Sequence, residues 1–368
     1  MKVVALVCVV VAASFAAAET TTVYRSGEDG YHTYRIPAIV RAENGDLLAF
    51  AEGRKNGRGD AGNIDLVLKR SGDGGTTWGA MTLVQDEWDA PSDDVCLGNP
   101  VPIVDRLDPE HPGRVWLVFC RDNDRVFVTH SDDHGLTWSE RRDITAEAKR
   151  PEWKWYATGP THGVQLMRGA HAGRLVVPSD HGTAKGRGWG VHLLYSDDHG
   201  ATWQVGAVDT RGKDDSLHPN ECGAVELTDG RVYVNARDQH GADPATRMIA
   251  YSSDGGATFD KPFVAEPAIV SPVVQNSLVR FAAKDQGDDH DLLVYAGPGH
   301  AQKRRDFTVR VSYDEGATWP VSKVIAPVPA AYSDLVKLDD EAVGVIYEAG
   351  EPLHAEIVFE RVVIADLD

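Results

Sequence analysis

Arg35 stands directly before Ile36 and Pro37, at the head of an apolar run that ends at Val40. A charge is seldom buried without a partner, and a proline in a sheet belongs at an edge or a strand start. Other polar residues occupy comparable junctions: Asp60 in GRKNGRGDAGN, Glu221 in HPNECGAVEL, Arg237 in VYVNARD, Arg304 and Arg305 in HAQKRRDF, Tyr332 in AAYSDL and Glu348 in VIYEAG. Guanidinium groups are bidentate partners for a carboxylate. Carboxyl groups move protons, and a tyrosine beside a base can be activated as a nucleophile. Residues so far apart in the chain act together only if a repeating framework returns it to one place.

The framework is a repeat. SGDGGTTW begins at Ser71, SDDHGLTW at Ser131, SDDHGATW at Ser196, SSDGGATF at Ser252 and SYDEGATW at Ser312. In each, the aspartate can accept hydrogen bonds from backbone N–H groups of its own turn, and the glycine two residues on tolerates positive φ. A calcium-loop reading fails because the glycine spacing and terminal glutamate of an EF-hand are absent. The first turn follows strand patterns at Arg35–Val40, Leu47–Glu52 and Ile64–Arg70 and precedes one at Thr82–Val84. Units of about 60 residues repeat this plan, with the third inner strand expected at GVQLM, residues 163–167. A sixth unit, DLVKL, AVGVIYE and EIVFERVV, is one strand short, and the N-terminal TTTVYRS can complete it and remove the open edges. The expectation is one all-β domain, residues 19–368, folded as a six-bladed β-propeller with four-stranded antiparallel blades.

In such a blade the strands alternate in direction from the axis outward. The starts of inner strands, the ends of second strands and the loops after them share one rim, and the aspartate turns lie on the other. Arg35, Asp60, Glu221, Arg237, Arg304, Arg305, Tyr332 and Glu348 all fall on the first rim, drawn from blades one, four, five and six. A pocket near the axis is where functional residues should converge.

YRIP at 34–37, AEGR at 51–54, NEC at 220–222 followed by NAR at 235–237, YSDL at 332–335 and the aspartate boxes together resemble the exo-sialidases (neuraminidases). Those are six-bladed propellers of the glycoside hydrolase type, and the resemblance covers residues 20–368. It implies that Arg35, Arg237 and Arg304 form a triad for the carboxylate of sialic acid, with Arg305 the alternate for the third place. Glu348 would hold Arg35. Asp60 would be the general acid and base. Most retaining glycosidases use a carboxylate nucleophile, but here it would face the substrate's own carboxylate. A neutral tyrosine avoids that repulsion, which fits Tyr332 as nucleophile with Glu221 as its base. Arg54 either lines the pocket or pairs with a neighbouring acid, and Asp93 and Asp94 either meet ring hydroxyls or lie in a solvated loop. The implied substrates are sialylated glycoproteins, glycolipids and oligosaccharides. A trans-sialidase, or a hydrolase of KDN or Kdo, would share the site. A non-catalytic glycan-binding propeller would be expected to have lost Asp60, Tyr332 or an arginine.

The net charge of −19 argues against nucleic-acid and anionic-membrane partners. Residues 1–18, one lysine followed by an apolar stretch and Ala16-Ala17-Ala18, read as a signal peptide, so a secreted or periplasmic location is expected. No other run is long and apolar enough to span a bilayer as a helix. Cys96, Cys120 and Cys222 permit at most one disulfide, and Cys222 is expected to be a small buried residue. The fourteen histidines form no HExxH motif and are expected on the surface and in loops, with no metal or other cofactor.

Overall fold

The computed structural model describes residues 20–87, 94–184, 188–240 and 245–367; the expected leader and Asp93 lie outside the described residues. Four separate antiparallel sheets are followed by a seven-stranded one. The first sheet holds Thr33–Arg41, Leu47–Arg54, Ile64–Ser71 and Thr82–Gln85, and the second Leu97–Asp105, Arg114–Arg121, Arg125–Ser131 and Arg142–Asp143. The third is built on Leu175–Gly182, Gly188–Ser196 and Gln204–Gly212, and the fourth on Pro219–Glu226, Val232–Asp238, Thr246–Ser252 and Val264–Val270. This arrangement is all-β and propeller-like. No helix among the described residues is long and apolar enough to cross a membrane.

The second strands read as near-continuous apolar runs because both faces of each sheet are covered: every residue of Leu47–Arg54 is buried. The core is therefore a series of clusters between successive sheets. Phe50 meets Trp138 edge-on at 5.7 Å, and Trp78 meets Phe359 at 5.5 Å. The aspartate boxes serve this stacking. Ser71 Oγ donates to Asp73 Oδ1 (2.7 Å) and accepts from the Gly75 amide (2.8 Å), while Asp73 accepts from the Thr77 amide (2.9 Å) and hydroxyl (2.6 Å). The same bonds recur around Asp133, Asp198, Asp254 and Asp314. Gly75 has φ +92°, and a Cβ there would lie 2.1 Å from Phe359 of the adjoining sheet; at Gly200 it would lie 2.4 Å from Trp116. Each box closes its own hairpin and brings it against the preceding sheet.

Two expectations are modified. The third inner strand is not a single piece at 163–167: Trp155–Thr158 and Val164–Gln165 both pair with Leu175–Gly182. The chain leaves the ladder between them at Gly159, with φ +61°, and Pro160, which has no N–H to donate. The last two units also share one sheet. Residues 321–329 of the strand Val321–Lys337 pair with Arg305–Ser312, and residues 330–337 pair with Ala342–Ala349. Pro327 and Pro329 suit a straight extended connection, so no loop separates the two halves. The halves nevertheless pack on each other, with Phe307 stacked on Tyr347 at 4.1 Å within one cluster. As expected, the N-terminal strand Thr21–Arg25 completes this sheet, pairing antiparallel with Glu356–Val363.

Candidate active site

The inner strands are irregular where the unusual polar residues sit. Pairing slips between Arg35 and Ala38, between Pro219 and Cys222, and between Ala330 and Ser333. Such bulges re-aim side chains at the rims of sheets. Pro37 thus falls in a bulge rather than at a strand start, and Ile36 takes φ +56°, a strained value for a β-branched residue. Its amide is held by Glu348 Oε1 at 2.9 Å.

A pocket of about 600 Å³ opens over these bulges, lined by Arg35, Arg54, Asp60, Glu221, Arg237, Arg304 and Tyr332 among others. Tyr332 Oη donates to Glu221 Oε1 at 2.5 Å and accepts from Arg237 Nη1 at 3.1 Å. Arg237 also pairs with Glu221 at 2.7 Å. The Arg35 and Arg304 guanidinium carbons stand 4.9 and 5.6 Å from the centre of the Tyr332 ring. Burial and the neighbouring Glu221 raise the phenol's proton affinity, against the pull of the arginines. A phenol in this setting loses its proton only to a base in contact with it, and Glu221 is the carboxylate in contact with this one.

Glu348 does not line the pocket; it lies fully buried beneath Arg35. Arg35 Nε and Nη2 donate to its two oxygens at 2.9 and 3.3 Å, and His354 Nε2 stands 3.3 Å away. Burial alone would favour its acid form, but Arg35 and His354 hold it well below the usual carboxylate range. Arg54 does both things its sequence setting allowed. It lines the pocket, and it is paired with Glu52 at 2.6 Å. Its Nη1 also donates to the carbonyls of Arg58 and Gly59 and to Asp60 Oδ1, at 2.7, 2.9 and 2.7 Å. Asp60 has a second guanidinium contact, Arg35 Nη1 at 3.2 Å, yet its side chain is 82% exposed. Partial burial works to raise its proton affinity; Arg54 and Arg35 outweigh it and keep the empty-site form a carboxylate.

Arg304 lines the pocket and donates only to the Val273 carbonyl, at 3.1 Å; among the described residues it has no carboxylate partner. Arg305 turns away onto Asp306 at 3.0 Å. Asp94 is not among the pocket-lining residues.

Several further site residues lie inside the sequence motifs. Glu52 lies inside AEGR and Asn220 inside NEC. Asp334 lies inside YSDL: fully buried, it accepts from the amides of Ile39 and His162 at 3.0 and 2.9 Å, tying inner segments of three sheets together. Trp155, Trp189 and His354 had no motif to mark them. The histidine expectation is corrected. His181 and His192 are fully buried in the third sheet, with Trp153 stacked on His181 at 4.1 Å, because their backbones occupy interior strand positions. The three described cysteines are unpaired and buried, Cys222 completely. Asp105, Asp108 and His199 cluster near a far-rim turn. Both Asp105 oxygens already accept bonds there, Oδ1 from Leu107, Asp108 and Gln165, and Oδ2 from His199.

A propeller-like stack of sheets joined by aspartate boxes, with an arginine-rich pocket at one mouth, defines a class. The family model described as a BNR repeat-like domain matches residues 45–345, and the chain belongs to that family. Its relatives include a sialidase of Micromonospora viridifaciens, 34% identical over 88% of this chain and 51% of that protein. An exo-alpha-sialidase of Aspergillus fumigatus is 27% identical over 87% of this chain and 79% of its own length. The chain thus spans about half the length of the Micromonospora relative. Among solved structures, the Hadza microbial sialidase Hz136 superposes with TM-score 0.81 at 26% identity, covering 94% of this chain and 68% of that one. The intramolecular trans-sialidase of Ruminococcus gnavus, at 20% identity and TM-score 0.78 over 94% of this chain and 98% of its own, shares the fold.

Proposed function

We propose that the chain is a secreted exo-α-sialidase that removes terminal sialic acids from glycoconjugates with retention of configuration. The observation that carries this reading is the contact of Tyr332 Oη with Glu221 at 2.5 Å, flanked by Arg237 and faced by Arg35 and Arg304. The substrate carboxylate lies against Arg35, Arg237 and Arg304, whose guanidinium groups suit it better than ammonium groups do. Tyr332 attacks the anomeric carbon while Glu221 takes the phenol proton, and Asp60 gives a proton to the departing oxygen. Asp60 then removes a proton from water, which attacks the tyrosyl–sialosyl bond, and Glu221 returns its proton to Tyr332. Two inversions restore the original configuration.

Asp60 must first gain the proton it gives. An incoming carboxylate that draws Arg35 to itself weakens one of the two cationic contacts holding Asp60 ionised, so substrate binding favours the acid form. The scaffold reading is six blades. The two halves of the seven-stranded sheet count as the fifth and sixth, supported by the cluster packed between them. Export rests on residues 1–18.

A fluorogenic aryl α-sialoside, assayed with and without lactose, tests the function. Release of the fluorophore with free sialic acid as the main product is expected. Sialyl-lactose as the main product would move the assignment to a trans-sialidase. Retained sialoside binding without release would leave a binding module.

A further inference from the structure

Arg35 and Arg237 are held in different ways. Arg35 is gripped by a carboxylate, Glu348. Arg237 Nη2 instead meets the side-chain oxygen of Asn220 at 2.6 Å, and Asn220 Nδ2 donates to Asp180 Oδ1 at 2.9 Å. A guanidinium can only donate, so the Arg237 contact turns the Asn220 oxygen toward it and the Asn220 amide toward Asp180. Asp180 comes from the neighbouring third sheet, on Leu175–Gly182, and is fully buried. Its Oδ2 has no hydrogen-bond partner among the described residues. Burial, and after it the charge of Glu221, push the Asp180 carboxyl well above the usual range. The group that directly backs Arg237 is therefore a neutral amide, with a buried carboxyl of raised proton affinity beyond it.

The difference matters because Arg237 has several claims on its charge. Its Nη1 already serves Glu221 at 2.7 Å and the Tyr332 oxygen at 3.1 Å. A second carboxylate at its back would draw the guanidinium away from the pocket and neutralise it there. We propose that Asn220, anchored by Asp180, is a positioning residue that orients Arg237 through a neutral carbonyl and leaves its charge for Glu221, Tyr332 and an incoming carboxylate. This inference rests on the sialidase reading of the site.

Asn220→Asp keeps the shape and the acceptor and adds the charge. With a fluorogenic aryl sialoside at pH 7, KM is expected to rise about tenfold or more, the loss of a charge-assisted hydrogen bond. The effect on kcat should be smaller. The deficit relative to wild type should shrink as pH falls and the new carboxyl protonates. Asn220→Ala removes the acceptor without adding a charge, so its deficit should stay constant with pH. A wild-type KM in Asn220→Asp, or a deficit as pH-independent as that of Asn220→Ala, would overturn the role. The unmodified chain in the same assay separates this from the parent reading. If it releases no fluorophore, the sialidase assignment fails; if it does and Asn220→Asp behaves identically, only the role of Asn220 fails.

Discussion

Asp60 is the site residue whose state depends most on what fills the pocket. On a glycine-rich loop and largely exposed, it is fixed by Arg54 Nη1 and Arg35 Nη1 rather than by packing. As the acid for the leaving group, it should matter in proportion to how poor that group is. Asp60→Asn should lower kcat/KM for a sialyl-lactose substrate about 10²–10⁴-fold, the usual range for a general acid. It should do far less to an aryl sialoside whose phenolate departs unaided. Equal losses on both substrates, measured side by side, would remove Asp60 from that role. At this scale the sequence was legible where a residue broke its local pattern. Arg35 heads an apolar run, and Tyr332 and Glu348 interrupt others. Glu52, Asn220 and His354 break no pattern. Their importance comes from partners across space, as in the contacts of Asn220 with Asp180 and of Glu52 with the Asn99 amide, 40 and 47 residues apart in the chain.

Among the elements, the strands of the first sheet and the closing hairpins could be read because β periodicity and the aspartate turns are local signals. The split inner strand of the third sheet could not, since its outer piece, Trp155–Thr158, is only four residues long and the detour after it is set by pairing with Leu175–Gly182. The same sheet conceals a histidine pair. Burial, with Arg150 assisting, pushes His181 down to about 3, and burial and His181 push His192 well down. Both rings are neutral when folded, whereas the unfolded chain takes up protons below about 6.5. The unfolded state then binds more protons, so stability is unaffected above that pH. It falls as pH drops from about 6.5 toward 3, by up to about 1.4 kcal/mol per pH unit for one such group. Thermal unfolding between pH 7 and pH 4 should show this slope, and a His181→Asn variant a shallower one. Identical slopes would mean that His181 is not a source of the acid lability.

For the whole molecule, the proposed closure of the ring would depend on the first described strand, which completes the last sheet. Thr21–Arg25 covers the edge of Glu356–Val363, buries Val23 and Tyr24, and places the Tyr24 hydroxyl 2.7 Å from the Ala49 carbonyl of the first sheet. Full burial of such side chains contributes about 1.5–3 kcal/mol each. A chain beginning at Gly27 should therefore unfold at a markedly lower temperature than one beginning at Thr20, and aggregate through the uncovered edge. Equal Tm values would show that closure does not depend on this strand. The frame gathers Arg35, Arg54, Arg237 and Arg304 at one mouth, a local positive field that the proposed acidic substrate needs against a net charge of −19. In the proposed reaction Tyr332 attacks a sialosyl centre held by those arginines. Intact-mass and peptide analysis after exposure to 2,3-difluorosialic acid, whose anomeric fluoride is the leaving group, is the decisive measurement. One fluorosialosyl adduct is expected on the peptide containing Tyr332 and none in Tyr332→Phe; an unmodified protein, or an adduct on another residue, would mean that Tyr332 is not the nucleophile.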